Sequence, residues 1–180
     1  MHKPAHAHEV FLNPGDFYFG AGATCIVTVL GSCVSFTAWH PFLHIGGMCH
    51  FILPARGTGK KEQNPDGRYA DEAVQLLLHE IALRDTRPHE YQVKIFGGGN
   101  MFPHLNKPRG KGSNHVDVGS RNIEAARMLL EEQGFRISTG HVGSDGHRKL
   151  IFNLWDGDVW VRHVKERKNQ ELETSACSSR

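Results

Sequence analysis

A cysteine stands directly after a tight turn in this sequence, because Cys33 follows Gly31 and Ser32. Gly31 permits backbone conformations that other residues resist, and the N–H groups around such a turn can point at a developing oxyanion. A cysteine thiol has a pKa of about 8.5 and is mostly protonated at neutral pH, so it needs a base to act as a nucleophile. The segment therefore indicates a nucleophile that requires a partner.

His50 is the candidate base. It lies in the apolar segment 45–53, and if this segment pairs with the strand that starts at Cys33, the imidazole reaches the thiol. The same pattern also fits a simpler alternative, in which Cys33 is a small buried apolar residue and His50 a hydrogen-bonded core histidine. Cys25 and Cys49 lie inside apolar strands with no adjacent turn, and we interpret them as core residues.

A metal site is the other chemical interpretation of these residues, with Cys33, His44, Cys49 and His50 as zinc ligands. Adjacent residues of a strand point to opposite faces, so Cys49 and His50 would not share one ion easily. The run Gly97–Gly99 follows a strand as phosphate-binding loops do, but it lacks their lysine and their glycine spacing. We interpret it as a turn that supports the active site, and we predict no metal and no cofactor.

The elements that must position these residues follow from hydrophobic periodicity. Alternating or continuous apolar runs predict strands at 24–30, 33–39, 45–53, 93–96, 135–139, 148–155 and 158–164. Helical spacing predicts two helices, at 69–81 and 121–133. The first three strands have no helix between them and should pair antiparallel. Strands in runs with about two main helices predict the α+β class, as a layered α/β sandwich of mixed, largely antiparallel sheets.

Length and composition predict one domain. A chain of 180 residues with 39% hydrophobic residues can bury a single core, which we place at residues 13–164. Residues 1–12 carry several histidines without a ligand framework and are predicted to be a flexible tail. The polar residues 165–180, which include Cys177, are predicted to be a disordered tail. The glycine- and lysine-rich segment 55–68 is predicted to be an exposed loop that contacts substrate.

Charge and hydropathy exclude two classes of partner. The formal net charge of +2 is too small for a strong nucleic-acid-binding field. No segment reaches the roughly 18 to 20 apolar residues that span a bilayer, and the first residues lack a signal-peptide core. The cysteines have neither CxxC spacing nor the density of a secreted disulfide scaffold. We therefore expect a cytoplasmic protein with reduced thiols and no membrane insertion.

An ordered set of motifs resembles the bacterial chemoreceptor glutamine deamidases, the CheD family. The matching segments, which lie between about Asn13 and Val164, are LGSC at 30–33, GGMCHFILP at 46–54, RYAD at 68–71, GGGNMF at 97–102, GSRN at 119–122 and GSDGHRKLIFN at 143–153. The set in this order is much more specific than any one motif.

The resemblance implies a Cys-His-Thr triad that hydrolyses receptor glutamine side chains to glutamate and releases ammonia. Cys33 and His50 match the cysteine and histidine, and Thr28 matches the threonine if the turn is shorter than in some members. Gly31 and Ser32 would support the oxyanion. The same site could also hydrolyse glutamyl methyl esters. The resemblance implies an alternative as well, because some members dock onto a chemotaxis phosphatase and regulate it, so the chain could be a non-catalytic docking module.

Overall fold

Two β-sheets pack face to face, and two helices cover the outer side of one sheet. The computed structural model describes residues 4–57, 64–101 and 117–165. The four-stranded sheet has the spatial order β1 (His8–Phe11), β3 (Thr24–Leu30), β8 (His147–Asn153) and β9 (Val159–Val164). The five-stranded sheet has the spatial order β2 (Phe17–Ala21), β5 (Ile45–Cys49), β4 (Val34–His40), β6 (Gln92–Gly97) and β7 (Arg136–Val142). β1 runs parallel to β3, and β6 runs parallel to β7. The other neighbouring strands are antiparallel.

The two helices are amphipathic and bury one face each. α1 (Ala70–Ala82) buries residues at helical spacing, including Ala73, Leu77 and Ile81. α2 (Val118–Glu132) begins after Asp117, whose side chain accepts a hydrogen bond from the Ser120 N–H and so caps the helix. Their apolar faces pack on the outer face of the five-stranded sheet, in one core cluster with Phe36, Phe51 and Ile95.

A second core cluster fills the space between the sheets. Successive residues of a strand point to opposite faces, so Ile26 and Leu30 of β3 face the second sheet while Val29 is exposed. They pack with Leu150 from β8 and with Met48 from β5 on the opposite side. The order of layers is therefore sheet, sheet, helices, and the inter-sheet layer contains Thr28, which is fully buried.

The predicted fold class is confirmed, with mixed, largely antiparallel sheets and two main helices. Two short strands, β1 and β2, were not predicted, and β1 lies within the segment expected to be a flexible tail. Each is only four or five residues long, too short to show a clear alternation. Residues 58–63 of the predicted substrate loop and 166–180 of the predicted C-terminal tail lie outside the described residues.

One predicted pairing is wrong. β4 and β5 are antiparallel neighbours as expected, but β3 pairs with β1 and β8 in the other sheet and not with β4. The chain passes from one sheet to the other at the turn 31–33. Apolar alternation shows that a strand exists but cannot tell which sheet it joins. No helix in the described part of the chain is long and apolar enough to cross a membrane.

Leu150→Ala tests the importance of the inter-sheet layer. The side chain is fully buried, so its truncation should lower the free energy of unfolding by about 2–5 kcal/mol. Leu83→Ala is the matched control, because Leu83 is 66% exposed and its loss should cost less than about 0.5 kcal/mol. Urea denaturation with a fixed m-value measures both. Equal effects of the two substitutions would contradict this packing.

Candidate active site

The turn from Leu30 to Val34 carries Cys33 across from the four-stranded to the five-stranded sheet. A Cβ atom at Gly31 would lie 2.8 Å from Sδ of Met101, so a larger residue there would require the flexible methionine side chain to move. The φ angle of Gly31 lies outside the left-handed region, so the wider backbone freedom that glycine permits is not used here. Cys33 is partly buried and packs against the inter-sheet cluster. Its thiol therefore stands at the end of the inter-sheet space.

Three successive carbonyl groups of this turn accept hydrogen bonds. Gly99 N donates to Gly31 O and Gly98 N donates to Cys33 O, each at 2.7 Å, and Asn122 Nδ2 contacts Ser32 O at 3.4 Å. In the described residues, neither the Ser32 N–H nor the Cys33 N–H donates to a backbone carbonyl. In a planar trans peptide the N–H points opposite to the carbonyl. Both N–H groups thus point away from the atoms that hold the turn.

The glycine run 97–99 holds the turn through its backbone. Gly97 has φ +110°, which favours glycine, and a Cβ atom there would lie 2.2 Å from Cys33 O. A Cβ atom at Gly99 would lie 2.3 Å from Gly146 O. No other residue type fits these close approaches without a shift of the backbone. The run therefore lies directly against Cys33, in the position expected for a supporting turn.

His50 faces the same space as Cys33. Val34 and Phe51 form an antiparallel bridge, and Thr37 pairs with Met48 in the same register, which places Ser35 opposite His50. Alternation then places Cys33 on the face shared by Ser35 and His50. Diagonal neighbours across an antiparallel pair are about 7–8 Å apart, a separation that cysteine and histidine side chains can span. The structure thus brings Cys33 and His50 to one face.

Thr28 reaches His50 from the opposite sheet. Thr28 Oγ1 lies 2.8 Å from His50 Nδ1 and donates to Leu12 O, also at 2.8 Å. A carbonyl oxygen cannot donate, so the single hydroxyl proton of Thr28 goes to Leu12. Thr28 must then accept from the Nδ1–H of His50, which leaves Nε2 as the unprotonated nitrogen. Nε2 is buried and has no hydrogen-bond partner in the described part of the chain.

Burial sets the protonation of both groups. Desolvation lowers the pKa of His50, opposed by the nearby Leu12 carbonyl and by the negative charge of Asp16. Desolvation also raises the pKa of the Cys33 thiol, opposed by its own backbone N–H. Both shifts favour the uncharged forms at neutral pH. Both groups are therefore uncharged on the same face, and His50 Nε2, which has no hydrogen bond to Cys33 Sγ in the described residues, can accept a proton.

The structure thus brings all five sequence-predicted residues to one end of the sandwich. Gly31, Ser32 and Cys33 form the turn, and Thr28 and His50 are hydrogen-bonded across the inter-sheet space. Sequence reasoning missed three contributors. The Leu12 carbonyl gives no side-chain signal, whereas buried Asn122 lies on the apolar face of α2, four residues before Ala126, a recognisable position for a polar residue with a specific role.

Arg148 is the third contributor that was missed. Its guanidinium is fully buried, donates from Nε to His141 Nδ1 at 3.1 Å and from Nη2 to Gly143 O, and lies beside Gly99. Arg148 pairs in register with Leu30, the residue before the turn. A charged residue at a position of β8 that alternation assigns to the core was the signal available in the sequence. The guanidinium therefore packs beside Gly99 of the glycine run.

Comparison with known proteins places this geometry in a family. Residues 52–163 match the family model described as CheD chemotactic sensory transduction. This region contains α1, the glycine run, α2, the strands β6 to β8 and all but the last residue of β9. It begins after Thr28, Cys33 and His50, which lie in the part of the chain covered by the relatives described next.

Curated relatives match over most of the chain. A protein of Dechloromonas aromatica named "Probable chemoreceptor glutamine deamidase CheD 3" is 49% identical over 160 residues, which cover 88% of this chain and 89% of the relative. A protein of Pseudomonas syringae pv. syringae named "Probable chemoreceptor glutamine deamidase CheD" is 46% identical, over 91% of this chain and 89% of the relative. A relative from Leptospira interrogans is 36% identical, over 88% of this chain and 95% of the relative. This chain therefore belongs to the CheD family.

Proposed function

We propose that this chain is a protein-glutamine deamidase that converts glutamine side chains of chemotaxis receptors to glutamate. The observation that carries the proposal is the hydrogen-bonded series Leu12, Thr28 and His50, which leaves a free imidazole nitrogen on the face occupied by Cys33. The names of the relatives supply the substrate class, since they are described as chemoreceptor glutamine deamidases. Geometry and family thus support the same chemistry.

In the first half-reaction Cys33 attacks the carboxamide carbon. His50 Nε2 takes the thiol proton as the Sγ–C bond forms, and the carbonyl oxygen becomes an oxyanion. The N–H groups of Ser32 and Cys33, which donate to no backbone carbonyl in the described residues, stabilise that charge. The imidazolium then protonates the amide nitrogen, the C–N bond breaks, and ammonia leaves. Cys33 holds the substrate as a thioester.

In the second half-reaction water replaces ammonia. His50 Nε2 accepts a proton from water as the oxygen attacks the thioester carbon, and the same proton returns to Sγ when the C–S bond breaks. The product carboxylic acid ionises to glutamate. Thr28 keeps the imidazole in the Nδ1–H tautomer through both steps, so that Nε2 always faces the reacting atoms. One neutral receptor side chain becomes an anion.

Two further activities are compatible with this site. A glutamyl methyl ester would react by the same steps, with methanol as the leaving group. The chain could also dock onto a chemotaxis phosphatase, and a Cys33→Ala protein that keeps full cellular function would favour that role. We place the reaction in the cytoplasm, where the signalling domains of such receptors lie, and assign substrate contact to the loop 55–68.

Cys33→Ala and His50→Ala test the assignment of nucleophile and base. Each should lower deamidation of glutamine-containing receptor cytoplasmic fragments by about 10³-fold or more, because each removes an obligatory step. Intact-peptide mass spectrometry follows the small mass gain as amide becomes acid. Cys177→Ser, a cysteine outside the described residues, is the control and should retain wild-type activity. Deamidation by Cys33→Ala at the wild-type rate would refute the mechanism.

Thr28→Val tests the orientation of His50. The substitution keeps the side-chain shape but removes the acceptor for the Nδ1–H, so kcat should fall about 10- to 100-fold. Thr28→Ser is the matched control, because it keeps the hydroxyl and should retain most of the activity. Steady-state ammonia release measures both variants, with thermal unfolding as a check on folding. Wild-type kcat in Thr28→Val would show that the hydrogen bond is dispensable.

The pH profile tests the environment of His50. The imidazole must be neutral to accept a proton, and burial lowers its pKa, so the acid limb of kcat/KM should lie below the ordinary histidine value of about 6.5. Asp16→Asn removes a negative charge that raises this pKa, and the limb should therefore move to still lower pH. Profiles of kcat/KM between pH 4.5 and 9, values chosen around the reference pKa, measure both. A shift of the limb to higher pH in Asp16→Asn would contradict this electrostatic account.

A further inference from the structure

We propose that Asn122 is a positioning residue that fixes the orientation of the oxyanion-stabilising peptide between Ser32 and Cys33. The inference rests on the function proposed above and adds a residue to its machinery. Asn122 lies on α2, on the helical side of the five-stranded sheet, and contacts backbone on two separate segments of the site. It acts through the backbone and does not itself meet the substrate.

The contacts of Asn122 determine the orientation of its amide. Nδ2 donates to Ile52 O at 2.8 Å and contacts Ser32 O at 3.4 Å. Both partners are carbonyl oxygens, which can only accept, so the amide nitrogen must face them. Ser32 precedes the nucleophile, and Ile52 follows the base His50 by two residues. One side chain therefore connects the turn before β4 to the segment that follows β5.

The contact with Ser32 also sets the direction of the Cys33 N–H. The carbonyl of Ser32 and the N–H of Cys33 belong to one planar peptide unit and point in opposite directions. Gly99 and Gly98 hold the carbonyls of Gly31 and Cys33 through backbone, and Asn122 is the side chain that holds the peptide between them. Without it, this peptide could rotate and turn its N–H away from the developing oxyanion.

A side chain that only filled space would be apolar at this position. Asn122 is completely buried, and its Oδ1 has no hydrogen-bond partner in the described residues. An unpaired buried carbonyl oxygen is unfavourable, and leucine, which has the same number of side-chain heavy atoms, would avoid it on a helix face that continues with Ala126 and Leu130. The amide therefore contributes something that packing does not, namely its two N–H donors.

The experiment compares two reactions of the same thiol. Acyl transfer from a receptor glutamine builds an oxyanion, whereas alkylation of Cys33 by iodoacetamide displaces iodide and builds none. Asn122→Leu and Asn122→Ala should lower kcat for deamidation about 10- to 100-fold with KM changed less than about threefold, since the lost stabilisation belongs to the transition state. Alkylation that depends on Cys33, measured against Cys33→Ala, should stay within about twofold of wild type.

Ser138→Ala is the matched control. Ser138 Oγ donates to Val93 O at 3.0 Å, which is also a side-chain bond to a carbonyl of the five-stranded sheet, but at the far end of β6 from Cys33. This variant should keep both reactions. Wild-type kcat in the Asn122 variants, or a proportional loss of alkylation and deamidation, would overturn the positioning role. Failure of wild type itself to deamidate receptor fragments would instead overturn the proposed function.

Discussion

A buried hydrogen bond between Thr28 and His50 connects the two sheets close to Cys33, the proposed nucleophile. Its direction is fixed by a third group, the Leu12 carbonyl, which takes the only proton that Thr28 can give. The protonation pattern of the imidazole thus follows from backbone geometry at the edge of the four-stranded sheet. Every later property of the site depends on it, because a histidine of the other tautomer would present a donor to Cys33.

The proposed reaction also requires an oxyanion site, which we assign to the backbone of the turn 31–33. The turn 31–33 is surrounded by hydrogen-bond donors to its carbonyls, which come from the glycine run and from Asn122. This arrangement explains the close approaches at Gly97 and Gly99, where a side chain would collide with carbonyl oxygens. The fully buried Arg148 has a related role, because its guanidinium lies beside the glycine run and donates hydrogen bonds to Gly143 O and His141 Nδ1 in the neighbouring segment.

Local features of this chain could be predicted from sequence, and long-range ones could not. Both helices and the strand Thr24–Leu30 followed from periodicity, and the turn before Cys33 from Gly31 and Ser32. The assignment of β3 and β4 to different sheets could not be predicted, because alternation describes one strand and contains no information about its neighbour. The short strand β1 was not predicted for a related reason, since it is defined mainly by its pairing with β3.

The site residues divide in the same way. Cys33 and His50 have chemical signatures and lie in motifs, and Thr28 was matched through the resemblance. Leu12 contributes only a backbone carbonyl, which every residue has, so no sequence pattern marks it. Asn122 and Arg148 were visible as polar residues at core positions, but their partners depend on how helices and sheets meet.

The division of the site between two sheets makes catalysis a measure of how firmly the sandwich is closed. Cys33 directly precedes β4 and His50 directly follows β5 of one sheet, whereas Thr28 belongs to the other sheet, so a small separation of the layers would free the imidazole while leaving each sheet intact. Such a partly opened state would retain its secondary structure and its thiol yet lack an oriented base. Inactivation by heat or mild denaturant should therefore precede the loss of strands, because activity depends on the Thr28–His50 hydrogen bond between the layers.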